Sequence, residues 1–81
     1  MQPGDVVRVL ADDYGISRIE LSRKLGRSDF FISNYISTGR LPRIELLAEI
    51  CDATGHDLLV RNRTTGREII IDPPRKDNDE A

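Results

Sequence analysis

Few side chains in this chain are equipped for chemistry. His56 is the only histidine and Cys51 the only cysteine, so they supply neither a metal cluster nor a nucleophile with an activating base. There is no glycine-rich phosphate loop. Asp12 and Asp13 are adjacent, so on a helix they point in different directions and form no catalytic pair. The reading is of a non-enzyme with no metal and no cofactor. Hydrogen-bonding and stacking groups gather instead in one short stretch, at Ser28, Asp29, Phe30, Ser33 and Asn34. Such groups suit the edges of bases. An amide such as Asn34 presents a donor and an acceptor to adenine, and a carboxylate such as Asp29 accepts from the cytosine amino group. An aromatic such as Phe30 packs on a thymine methyl.

The charge around that stretch has the matching sign. From Ser17 to Arg43 there are six positive residues (Arg18, Arg23, Lys24, Arg27, Arg40 and Arg43) against Glu20 and Asp29, a local excess of four in a chain of net charge −2. The overall charge excludes a wholly basic binder, but a basic middle on an acidic background marks one surface. Arg18, Arg27, Arg40 and Arg43 are the candidates for phosphate contact, which positions without reading sequence. Ser28 and the first amides of the following helix can hold a phosphate as well. Arg23 and Lys24 read as a solvated face.

The elements that must position these groups follow from local rules. At 81 residues the chain is long enough for one domain, of marginal stability alone. Val6, Val7, Leu10 and Tyr14 have helical spacing, and Gly15 ends that helix. Ser17 and Glu20 form a capping box for a short second helix with Ile19, Leu21 and Leu25 as apolar contacts, closed by Gly26. Ser28 reads as the cap of a third helix, residues 28–37, ended by Gly39. A fourth helix, about 43–54, carries Ile44, Leu47, Ala48, Ile50 and Cys51 on its apolar stripe, which makes Cys51 a buried structural thiol.

Between the second and third helices lies the most specific pattern. Ser22 is small where two crossing helices must approach closely. Gly26 supplies the positive φ of a tight turn, and Ile32 and Tyr35 anchor the third helix through its inner face. With Ile32 at zero and about 100° per residue, Tyr35 and Ile36 fall inside and Phe30 and Asn34 about 160° away. Phe31 is a boundary residue beside Tyr35. Phe30, Ser33 and Asn34 are therefore expected to face outward, with Asp29 at the N-terminal end. A short turn between such helices describes a helix-turn-helix.

The stretch "ISRIELSRKLGRSDFFISNYISTGRLPRIELLAEICDATG", Ile16 to Gly55, resembles the lambda-repressor-like (Cro/cI-type, XRE-like) family of DNA-binding domains. It departs from the family pattern at Ser22, where alanine is usual, at Arg18, where glutamine is usual, and at Arg27, where an apolar residue often follows the turn glycine. The resemblance implies a mainly α domain of four to five helices with base contacts at Asp29, Phe30, Ser33 and Asn34. It implies a repressor-like transcription regulator, and it also allows an antitoxin that binds a toxin protein besides DNA.

After Gly55 the period changes to two. "DLLVRN" and "REIIID" flank "RTTG", which reads as a β-hairpin whose turn carries a bulge at the glycine. The expected register sets Arg63 opposite Arg67, Arg61 opposite Ile69 and Leu59 opposite Ile71. One face then holds Leu59, Ile69 and Ile71, and the other Leu58, Val60 and Ile70. The second face is the candidate dimer interface, because a lone hairpin is barely stable and both faces are apolar. The resulting organisation is 1–55 as a DNA-binding domain, 56–73 as a dimerisation hairpin and 74–81 as a disordered acidic tail. The expected partners are double-stranded DNA and a second copy on a palindromic operator. The competing reading is a protein-interaction adaptor without DNA binding. No apolar run has the length of a membrane span and no signal peptide is evident, and with the unpaired cysteine this points to the cytoplasm.

Overall fold

The computed structural model describes residues 1–74 of the chain. Residues 75–81, nearly all of the expected acidic tail, lie outside them. A single 3-10 turn, Pro3–Asp5, leads into α1 (Val6–Tyr14), followed by α2 (Arg18–Lys24), α3 (Phe31–Thr38) and α4 (Ile44–Ala53). Two strands, β1 (Leu58–Arg61) and β2 (Glu68–Ile71), close the chain as an antiparallel hairpin. No helix among the described residues is long and apolar enough to cross a membrane.

All four helices meet in one core made of Val7, Ala11, Leu21, Leu25, Ile32, Ile50 and Ala53. Val7 and Ala11 are four residues apart, so they share the inner face of α1. The capping box at α2 forms as expected: Ser17 Oγ accepts from the Glu20 amide at 3.1 Å, and Glu20 Oε1 accepts from the Ser17 amide at 3.4 Å. Three expected core residues are not core. Ile19 and Ile44 are exposed, each in the first turn of its helix, and Tyr14, expected on the apolar face of α1, is exposed at its last residue as well. Cys51 is buried, and burial, reinforced by the charge of Asp57, pushes its thiol pKa up.

The joint between α2 and α3 depends on one hydroxyl. Gly26, at φ 74°, lets the chain reverse: its amide donates to Arg23 O and that of Arg27 to Ser22 O, both at 2.9 Å. These two bonds satisfy carbonyls that the end of α2 would leave bare. Ser22 Oγ donates to Arg18 O at 2.8 Å and accepts from the Ile32 amide at 3.1 Å. Ser22 and Ile32 are both fully buried. The cap of α3 is therefore a side chain on α2, which corrects the role expected of Ser28. Residues 28–30 form a turn in which Ser28 contributes its carbonyl to the Phe31 amide at 3.1 Å, and the helix begins at Phe31 with no cap bond from its own N-cap side chain.

The far ends of the helices are laced together. Lys24 Nζ donates to Ala53 O at 2.9 Å and lies 5.1 Å from the centre of the Tyr14 ring. Lys24 is thus not the free solvated side chain expected; it ties α2 to the negative end of α4. The buried Thr54 hydroxyl sits 2.9 Å from His56 Nδ1, and His56 Nε2 is 2.7 Å from Asp13 Oδ2. A carboxylate only accepts, so Nε2 carries the proton. The link joins the end of α1 to the segment after α4. At Gly55 a Cβ would meet the Tyr14 ring at 3.6 Å, on a backbone at φ 70° that side chains rarely adopt.

The hairpin forms, but one residue out of the expected register. Leu58 pairs with Ile71, Leu59 with Ile70, Val60 with Ile69 and Arg61 with Glu68. The cause is Asn62. Its side-chain oxygen accepts from the Thr64 and Thr65 amides at 2.9 and 3.1 Å. Its backbone amide donates to Arg67 O and its carbonyl accepts from Gly66, both at 2.8 Å. Asn62 and Arg67 thus close a four-residue loop in place of the expected Arg63–Arg67 pair. Residues directly opposite share a face, so Leu58, Val60, Ile69 and Ile71 lie on one side and Leu59, Arg61, Glu68 and Ile70 on the other. The expected interface set of Leu58, Val60 and Ile70 is therefore split, with Ile70 across the sheet.

Replacing Ser22 by alanine removes the side-chain acceptor of the buried Ile32 amide. Urea unfolding of Ser22→Ala is expected to show a loss of about 1–3 kcal/mol, the cost of an unsatisfied buried group. Unchanged stability would show that the Ile32 amide does not need Ser22.

Candidate nucleic-acid interface

Burying Ile32 fixes the phase of α3. Tyr35 and Ile36 are half-buried on either side of it, as the helical spacing requires, while Phe30, at 66% exposure, and Asn34 are open to solvent. The backbone carbonyl of Asn34 accepts from Thr38 Oγ1 at 2.6 Å, but its side-chain amide makes no hydrogen bond among the described residues. It remains available to an external partner. Ser33 departs from its expected outward position. It is half-buried and lines a groove of about 420 Å³ with Ile16, Ser17, Arg18 and Ile19. Ser33 follows Ile32 by one residue, about 100° around the helix, which turns it toward the α1–α2 junction.

The arginines expected to meet phosphate fall on both flanks of α3. Arg18 shares the groove of Ser33. On the other flank, Arg27 stacks over Phe31 with Cζ 4.7 Å from the ring centre, and Arg40 over Tyr35 at 4.9 Å. The two rings are themselves 5.1 Å apart and tilted by 58°. The result is a ladder of guanidinium, ring, ring and guanidinium along one side of the helix. With Arg43, Leu46, Glu45 and Glu49 it lines a groove of about 400 Å³ between α3 and α4. Each ring face attracts the cation above it. Stacking occupies the flat face of a guanidinium and leaves N–H groups at its edges to donate. Arg43 is the residue preceding α4, and Ser28 is exposed in the turn before α3.

Asp29 is committed already. Its two oxygens accept from Arg23 Nε at 2.9 Å and Nη2 at 3.0 Å. The hydrogen bond from Arg23 holds the Asp29 carboxyl below the ordinary aspartate range, and the same bond pushes the Arg23 pKa up. The pair bridges α2 and the turn into α3. Arg23, expected to be solvated, is therefore a structured side chain beside the exposed end of α3, and Asp29 offers no bare carboxylate to a cytosine. No helical spacing links residues six apart across a glycine turn, so periodicity gives no signal for this contact.

No family model, curated protein or solved structure matches this chain.

The Asp29 shift carries a pH dependence of definite sign. A carboxylate whose folded pKa lies below its unfolded value of about 3.9 favours the folded chain above that value and loses the contribution as pH falls through the folded midpoint. Carbon-detected NMR titration of Asp29 is expected to give a midpoint below the ordinary range that rises in Arg23→Ala. A midpoint indifferent to that substitution would contradict the pairing in solution.

Proposed function

We propose that the chain is a sequence-specific DNA-binding transcriptional regulator of the lambda-repressor-like helix-turn-helix kind, with α3 as the helix entering the major groove. One observation carries the reading. The solvent side of α3 and the turn before it present Phe30 and the Asn34 amide, which has no partner among the described residues, flanked by Arg18 on one side and by Arg27, Arg40 and Arg43 on the other. Phosphate contacts position and base contacts specify, and here the candidates for the two tasks are sorted by place. An exposed helix face suits the wide major groove of B-form DNA. The deep, narrow major groove of an RNA duplex does not admit one.

One such helix reads only a few base pairs, so the reading includes two copies on a two-fold-symmetric site with half-sites one helical turn apart. The hairpin supports this. On the face of Leu58, Val60, Ile69 and Ile71, the inner pair is half-buried while Val60 and Ile69 are more than half exposed. Exposed apolar surface on a small domain favours a protein partner, and a second copy needs no additional component. The exposed Leu41 and Ile44 favour a second reading, in which another protein, such as a toxin, also docks on the chain.

Three outcomes are expected. Binding to mixed-sequence duplex fragments should be measurable at low salt and fall steeply as salt rises, because bound cations displace counterions; no binding at low salt would contradict the function. Asn34→Ala should lose discrimination between sites with little change in unfolding stability, and a retained site preference would remove Asn34 from base reading. Val60→Glu should convert a dimeric mass in sedimentation to a monomeric one; a mass that stays dimeric would remove this hairpin face from the interface.

A further inference from the structure

An aspartate at the entry to α3 poses a difficulty for the DNA-binding reading, since a bare carboxylate there would repel phosphate. The Arg23–Asp29 pair removes it and creates something else. A guanidinium has five N–H donors in a planar fork. Asp29 takes the edge formed by Nε and Nη2. The remaining donors are both on Nη1 and the second on Nη2, so the end-on edge of the fork stays intact and points away from the carboxylate. The Arg23 side chain is 67% exposed, and it reaches the residue immediately before the exposed Phe30. The bidentate grip also fixes the side chain in one orientation, so less freedom is lost when the free edge is used.

We propose that Arg23, oriented by Asp29, reads the O6 and N7 acceptors of a guanine next to the bases faced by α3. The inference rests on the DNA-binding reading given above. Two N–H groups side by side match that guanine edge. They match two phosphate oxygens as well, and charge decides between these. Asp29 neutralises Arg23, which weakens attraction to a phosphate but leaves the directional donors in place. A neutralised fork therefore favours a neutral acceptor edge. Arg23 is the reading residue and Asp29 the positioning residue.

The test selects bound duplexes from a random-sequence pool with the unaltered chain, with Arg23→Lys, and with the charge-neutral double variant Arg23→Ala, Asp29→Ala. Lysine keeps the charge and loses the fork; the double variant removes the pair without changing net charge. The unaltered chain is expected to enrich a guanine. Both variants should lose that preference by roughly 5- to 150-fold, the range of one bidentate base contact, with unchanged salt dependence and unchanged helical circular dichroism. Placing 7-deazaguanine at that position, which removes N7 and keeps O6, should cost the unaltered chain part of the preference. Asp29→Asn should weaken the preference and steepen the salt slope by about 0.9, as an unneutralised cation meets phosphate. Retention of the guanine preference in both variants would overturn the inference. So would equal weakening of the double variant on all duplexes with its slope reduced by about 0.9 while Arg23→Lys keeps the slope and the affinity, which marks a phosphate contact. Failure of the unaltered chain to enrich any sequence at low salt would overturn the DNA-binding reading, and the inference with it, before any substitution is made.

Discussion

A single hydroxyl makes α2 and α3 one unit. Ser22 donates to the carbonyl one turn behind it and accepts from the amide of Ile32. The first bond orients the hydroxyl so that a lone pair faces the second. An amide buried without a partner costs about 1–3 kcal/mol, which is a large share of the stability of a domain this small. Because Ile32 sets the phase of α3, the rest of that helix follows from this bond. Phe30 and Asn34 turn outward, Ser33 turns toward the α1–α2 junction, and Phe31 and Tyr35 turn toward α4. A slip of one residue would move every side chain by about 100° around the axis.

The charged groups around α3 are held in place by contacts that add little to stability. A cation over an exposed ring contributes about 0.5–1 kcal/mol, and exposed ion pairs contribute about as little. Their consequence is orientation. Arg27 and Arg40 rest on Phe31 and Tyr35, and Arg23 rests on Asp29. Each keeps free N–H groups while losing much of the freedom of a long side chain. Preorganised donors of this kind lower the entropy lost on binding. Phe31 thus packs on the core and carries Arg27, and Tyr35 beside it carries Arg40.

Much of this was legible in the sequence where local rules govern. The capping box at Ser17, the turn at Gly26, the inward Ile32, the contact of Phe31 with Tyr35 and the outward Phe30 and Asn34 all follow from spacing over a few residues. What was not legible depends on partners distant along the chain or across a turn. Ser28 has the composition of a cap, but the helix begins at Phe31, whose amide takes the Ser28 carbonyl, and the buried Ile32 amide is satisfied from Ser22. Lys24 looks solvated until Ala53, 29 residues away, is brought beside it. Arg23 and Asp29 meet only because Gly26 folds the chain between them. In the hairpin, the side chain of Asn62 organises the loop and moves the register by one residue, which redistributes the apolar faces.

On the proposed function, the open side of α3 and the arginines beside it are the surface that meets DNA. Amide NMR spectra of the isotope-labelled chain, recorded while a mixed-sequence DNA duplex is added at low salt, test it most directly. Shifts are expected to concentrate at residues 27–38 and around Arg18, Arg40 and Arg43, with α1 unmoved. Shifts confined to α1 or to the hairpin, or no shifts at all, would contradict it.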